Sequence, residues 1–256
     1  MRKLVSLLGI CLAASVALVA APVSAASTPD IGFKVPAHAH ANKPTTVHWH
    51  ASGVGSKTVV LQGYSSAKGW QKVGKKLHGT EGKKTIPALP IGIFDFRIAV
   101  FDHSGKLIAA KGHKLHVFGK VSWRTLFQTP KNDAGRYGSF HYVYSFFSNA
   151  VNYTALKVSH NPCTSIHISY IPGTENPNES VGGVGTVMIG RHGRSSVTSQ
   201  AAAQHRATSH ATLPLGKSWS INLSEDGTGS RLYTWYFNGS GICDQKHITS
   251  FAYNQN

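Results

Sequence analysis

The sequence predicts an all-β protein: two β-sandwiches in tandem behind a cleavable signal peptide. Three observations lead there. Apolar and polar residues alternate with period two in many short runs, the pattern of strands with one buried face. No stretch of the mature chain sustains a helical period. Turn-forming residues punctuate the runs at the spacing of a sandwich. Composition sets the outer bounds. With 41% hydrophobic residues the 256-residue chain can pack a core, which excludes a disordered polymer. Its 26 glycines follow no triplet period, which excludes collagen. Only one long apolar run exists, which excludes a polytopic membrane protein.

That apolar run is the leader. Met1-Arg2-Lys3 is cationic, Leu4 to Ala21 is rich in Leu, Val and Ala, and Val23 and Ala25 are the small residues that precede a cut. A signal peptide over 1–25, cleaved after Ala25, follows. The alternative is a retained anchor, against which Pro22 and the small residues stand. Ile10 before Cys11 does not fit a lipoprotein. The mature chain is then expected to have no membrane span and to be secreted, extracellular or bound to the cell wall. Cys163 and Cys243 remain as an even pair in an oxidising compartment, so a disulfide is expected.

The first unit, 26–119, opens with short runs. Thr58-Val59-Val60-Leu61-Gln62 is a strand, and Gly69-Trp70-Gln71-Lys72-Val73 returns after a turn. Phe94-Asp95-Phe96-Arg97-Ile98-Ala99-Val100 alternates most clearly, with Phe94, Phe96, Ile98 and Val100 on one face. Asp102 to Gly105 is a turn, and Lys106 to Ala109 restarts a strand. The run Pro87 to Val100, with its Pro, Gly and aromatic followed by an alternating strand and a turn ending in Gly105, resembles bacterial Ig-like domains. The earlier hairpin is similar to repeats of such secreted domains. The resemblance implies an Ig-like sandwich for this unit and assigns no ligand.

The second unit, 120–256, is expected to join the first through Phe118 to Trp123 with little slack, because Val117, Val121 and Trp123 keep alternating. Cys163 to Ile171, Val184 to Ile189, Trp219 to Leu223 and Arg231 to Phe237 read as strands. The last two are expected to form a hairpin around the turn 224–230, with Trp219, Ile221 and Leu223 on the side of Tyr233, Trp235 and Phe237. Ser195 to His210 reads as a helical turn or two, or as a loop of small residues. A cysteine opening one strand and a Trp-bearing hairpin ending in Gly239-Ser240-Gly241-Ile242-Cys243 resemble jelly-roll-like domains that follow Ig-like modules in secreted actinobacterial proteins. Some sandwiches of that shape bind carbohydrate.

Candidate functional residues come from unusual counts. Histidine occurs 15 times. In His38-Ala39-His40 and His48-Trp49-His50 the members of each pair share a face in a strand. If the two segments pair, four imidazoles crowd one patch, and imidazole is a ligand for Zn or Cu. The other reading turns Val47 and Trp49 to the core and leaves the histidines as a polar face, with no carboxylate nearer in sequence than Asp30. His113 and His116, three apart, do not share a face.

Catalytic groups are scarce. A glycosidase needs two positioned carboxyls, and Glu225-Asp226 are adjacent in a turn. No Gly-x-Ser-x-Gly elbow occurs, and Gly182-Gly183-Val184-Gly185 has no Gly-Lys-Ser/Thr after it. No catalytic residue and no cofactor is assigned. Charge is more informative. Lys plus Arg is 26 against 10 for Asp plus Glu, which draws a protein to polyanions. Lys75, Lys76, Lys83 and Lys84 are the expected polyanion site, taken to lie in turns between strands. Trp70 is the residue expected to carry an aromatic carbohydrate site. Motifs of a specific nucleic-acid module are lacking.

Together these point to a secreted, non-catalytic binding or structural module that contacts an anionic wall polymer or a glycan. A metal-binding protein using the early histidines, and a hydrolase with an unrecognised site, are the alternatives.

Overall fold

The computed structural model describes residues 28–127, 141–145, 152–173, 183–191, 194–202, 205–225 and 234–253. The leader, Asp133, Glu175, Glu179, Gly182, Asp226 and Tyr233 lie outside them. Among the described residues strand dominates and helix is almost absent. First come β1 (Asp30–Lys34), β2 (Ala39–His40), β3 (Thr45–Ser52), β4 (Thr58–Ser65), β5 (Gly69–Lys72), β6 (Glu81–Ile86), β7 (Gly92–Phe101) and β8 (Leu107–Ser122). A five-residue helix, α1 (Trp123–Phe127), intervenes. Then follow β9 (His141–Ser145), β10 (Asn152–Val158), β11 (Cys163–Gly173), β12 (Val184–Arg191), β13 (Arg194–Ala202), β14 (Ala207–Thr212), β15 (Trp219–Glu225), β16 (Thr234–Cys243) and β17 (Phe251–Tyr253).

Three sheets result. The strand order of one is β1-β3-β6, and of another β13-β12-β15-β10-β17. The largest runs β14-β11-β16-β8-β7-β4-β5, with β2 beside β8 and β9 beside β16. Each smaller sheet faces one half of the largest. In the first half Phe33, Val47, Trp49 and Ile86 meet Leu61, Phe96, Ile98 and Leu115 in one buried cluster. In the second, Leu156, Val187, Ile221 and Leu223 meet Ile166, Ile168, Trp235 and Phe237. Both are β-sandwiches built by the alternation that the sequence displays.

Strand β8 holds the halves together. Its residues from Leu107 to Val117 pair with β7, and Gly119 to Ser122 pair with Cys243 to Ser240 of β16. The segment expected to connect the units is thus the continuation of a strand, and the 119/120 boundary falls within it. At this crossing His116 Nδ1 donates to Asp244 Oδ2 at 2.6 Å, and the Asp244 side chain is only 4% exposed. Hydrogen bonds to charged groups contribute about 1.5–3 kcal/mol. Asp244→Ala should therefore lower urea stability by about 2 kcal/mol. A double-mutant cycle with His116→Ala should show non-additive losses. Additive losses would mean that the two side chains act separately.

The disulfide joins Cys163 to Cys243, which sit opposite each other in the β11–β16 ladder. Gly241 lies against it: a Cβ there would come 2.6 Å from Cys243 Sγ. Across the second core, the hydroxyls of Tyr170 (β11) and Ser199 (β13) bond at 3.0 Å and tie the two sheets. Burial raises the Tyr170 pKa above its ordinary value, and the Ser199 bond opposes that.

One expectation about pairing and one about conformation are corrected, and one open alternative is closed. Strands β15 and β16 form no hairpin. The former pairs with β10 and β12, the latter with β8, β9 and β11. Trp219, Ile221 and Leu223 therefore face Trp235 and Phe237 across the core instead of lying beside them. Alternation fixes which face is buried; the connection here is longer than the two-residue turns that force a hairpin. Strand β2 pairs with β8, at Ala39↔Val117 and His40↔Phe118, and not with β3. The run 195–210 is neither helix nor loop through most of its length, since β13 and β14 occupy it. Its Ala, Ser and Thr residues alternate between faces against β12 and β11.

Candidate functional site

The outer face of the stretch β8-β7-β4-β5 carries the most developed surface feature. The β4–β5 hairpin sets Tyr64 opposite Trp70 and Gln62 opposite Lys72. The β4–β7 ladder sets Gln62 opposite Arg97. Residues two apart share a face, so Gln62, Tyr64, Trp70, Lys72, Asp95 and Arg97 all point away from the core, while Leu61, Phe96 and Ile98 fill it.

These side chains contact one another. The Tyr64 and Trp70 rings meet edge to face, with centroids 5.4 Å apart. The Arg97 guanidinium lies 4.2 Å above the indole centroid, and its Nε donates to Gln62 Oε1 at 2.8 Å. A cation over an aromatic face is attracted by about 0.5–2 kcal/mol. Partial burial lowers the Arg97 pKa from its ordinary value, and the group stays charged. Farther along the face Lys114 Nζ donates to Asp95 Oδ1 at 3.0 Å. Trp70 is half-buried and Tyr64 is 51% exposed. The result is an aromatic platform with donors and acceptors at its side, on strands rather than on a loop. Of these residues the sequence singles out Trp70 as a candidate. Tyr64, Arg97 and Gln62 were not singled out, although the hairpin register that pairs them with Trp70 and Lys72 was a usable signal.

The expected lysine site is dispersed. Lys75 and Lys76 lie exposed in the loop after β5. Lys83 and Lys84, expected in turns, lie inside β6 and so point to opposite faces. Lys83 stands opposite His48, whereas Lys84 stands opposite the buried Val47 and reaches toward Gly74, where a Cβ would come 3.1 Å from its Nζ.

The histidines divide as well. In β3 the burial alternates strictly: Val47, Trp49 and Ala51 are buried, His48 and His50 exposed. His38 packs edge-on against Phe118 at 4.9 Å, and His40 follows it along β8. Because β2 does not pair with β3, the four rings share no patch. Among the described residues no group of three or more His, Cys, Asp or Glu is placed to hold a metal ion. One carboxylate does reach His50, contrary to expectation. Its Nε2 lies 3.5 Å from Asp30 Oδ2, and Glu81 stands opposite it in β6.

A second feature is an open cleft of about 990 Å³ over the sheet β1-β3-β6. Lys34, His48, His50, Glu81 and Lys83 line it, joined by Lys111 and His113 from β8. Gly32 gives the cleft its shape: a Cβ there would collide with the His50 ring, which lies across it. No helix among the described residues is long and apolar enough to cross a membrane.

No family model matches the chain, and no curated protein matches it. Among solved structures it is similar to carbohydrate-binding modules from the β-sandwich superfamily, at 11% identity and a TM-score of 0.30, over 85% of this chain and 98% of that one. It is similar to the M60 catalytic domain with the CBM51-1 and CBM51-2 domains of Clostridium perfringens ZmpB, at 8% identity and a TM-score of 0.34, over 84% of this chain and 31% of that one. It is also similar to the secreted serine protease VesC from Vibrio cholerae, at 7% identity and a TM-score of 0.26, over 85% of this chain and 51% of that one. Binding modules and a protease stand side by side at these scores, so the likeness assigns no activity.

Proposed function

We propose that this chain is a secreted, non-catalytic binding module, acting outside the cell or on its wall, that holds a glycan on the outer face of β8-β7-β4-β5. The observation that carries the reading is the Tyr64–Trp70 pair with Arg97 fixed over the indole and Gln62 bonded to Arg97. A sugar ring has an apolar C–H face and a rim of hydroxyls. The aromatic rings suit the first, since they bury large area at little entropic cost. The guanidinium of Arg97, held in place by the buried Gln62, and the carboxylate of Asp95 suit the second, as donor and acceptor. Lys72, Lys75 and Lys76 border the face and draw an acidic glycan toward it. The chain reads as two units, 26–119 bearing this face and 120–256 supporting it through β8.

Affinity electrophoresis in gels that contain neutral or acidic polysaccharides tests this. The mature protein should be retarded by at least one polymer, and Tyr64→Ala/Trp70→Ala should restore free mobility. Retardation on acidic polymers should weaken as salt rises. Unchanged retardation of the double variant on every polymer would move the binding site elsewhere.

A further inference from the structure

We propose that the cleft over β1-β3-β6 is a second site, separate from the aromatic face, and that it takes the phosphate group of a phosphate-bearing polyol or sugar. The strand register brings two lysines and a histidine together. Lys34 stands opposite His48 in the β1–β3 ladder, and His48 stands opposite Lys83 in the β3–β6 ladder. All three side chains are exposed on one face. Neighbours of this kind lie about 5 Å apart, so the row spans roughly 10 Å. Lys111 and His113 reach the same cleft from β8.

Here two lysines flank a histidine, and among the described residues no carboxylate lies within ion-pairing distance of Lys34, Lys83 or Lys111. A bound anion supplies the counter-charge that these lysines lack. The chemistry of the row favours a tetrahedral oxyanion over a planar carboxylate. A terminal phosphate carries about −1.5 to −2 charges at pH 7 on three acceptor oxygens, against a single charge on two oxygens for a carboxylate, and so suits a pair of lysines better.

The next row along the same strands differs. His50 stands between Gly32 and Glu81, and Asp30 reaches its Nε2. Rows on one face are about 7 Å apart. Acceptor oxygens there suit a hydroxyl and repel a second anion. The cleft thus reads as a phosphate end beside a hydroxyl end, in a volume of about 990 Å³, which exceeds a lone phosphate. Gly32 keeps the His50 ring flat against β1, and that leaves room for the hydroxyl-bearing part.

The test is titration calorimetry of the mature protein with three probes: inorganic phosphate, a glycerol phosphate oligomer and a galacturonate oligomer of equal charge. The proteins are wild type, Lys34→Gln/Lys83→Gln and Trp70→Ala. Both phosphate probes should bind wild type more tightly than the galacturonate. The double variant should lose at least tenfold on phosphate, while Trp70→Ala binds it as wild type does. Tighter binding of the oligomer than of inorganic phosphate identifies a polymer as the source; equal binding identifies the free ion. Phosphate should also raise the midpoint of thermal unfolding in wild type and not in the double variant, because only the folded cleft binds it. Equal phosphate binding by wild type and the double variant, or galacturonate bound as tightly as phosphate, would overturn the proposal. Because Trp70 lies on the other sheet, failure here leaves the aromatic face untouched.

Discussion

Cys163→Ser should cost this protein more stability than any single surface change, about 4.5 kcal/mol by the chain-entropy estimate for a loop of 80 residues. Engineered and natural bridges often deliver less, but the position argues for a large effect. The bridge sits within the longest ladder of the second sandwich, between β11 and β16, and Gly241 packs against its sulfurs. Asp244, the residue after Cys243, is the carboxylate that meets His116 at the crossing strand. Loosening the end of β16 therefore reaches β8, which the first sandwich also uses. Urea unfolding followed by tryptophan emission checks this, since Trp123, Trp219 and Trp235 all lie in the second core. The variant should unfold at lower urea, with the second core lost first. A stability within 1 kcal/mol of wild type would mean that packing alone holds the β11–β16 ladder.

The second large effect belongs to Trp70. Central aromatic residues in binding surfaces cost about 2 kcal/mol or more when truncated, so Trp70→Ala should weaken glycan binding roughly 30-fold. The loss has two parts: the indole surface itself, and the position of Arg97, which rests on it at 4.2 Å. Trp70→Phe keeps a ring under the guanidinium and should recover much of the affinity. Stability should barely change in either variant, because Trp70 lies outside the buried cluster of its half. Binding curves for the three proteins on one oligosaccharide decide it. Equal affinity of the Ala and Phe variants would remove the ring from the explanation.

Much of this was legible in the sequence, and the reasons for the rest are physical. Period-two alternation in Phe94 to Val100 marked β7 and its buried face, and the same signal set Val47 and Trp49 inward. The even pair of cysteines that follows the expected leader marked the disulfide. Alternation says which way a residue points, not which strand lies beside it. That is why β15 and β16 read as a hairpin while they belong to opposite sheets, and why the sequence leaves a shared patch of the β2 and β3 histidines open as an alternative. Lys83 and Lys84 show the same limit: adjacent charges look like one patch in a sequence and point to opposite faces in a strand. The row of Lys34, His48 and Lys83 was invisible for the converse reason, since it is assembled across three strands by register.

The most direct test of the proposed binding face follows the five tryptophan indole N–H signals by nuclear magnetic resonance while an oligosaccharide is added. Trp49, Trp123, Trp219 and Trp235 are at most 5% exposed, whereas Trp70 is half-buried on the outer face. The Trp70 signal should shift progressively to saturation while the other four stay in place. A saturating glycan that leaves the Trp70 signal unmoved would contradict glycan binding on this face.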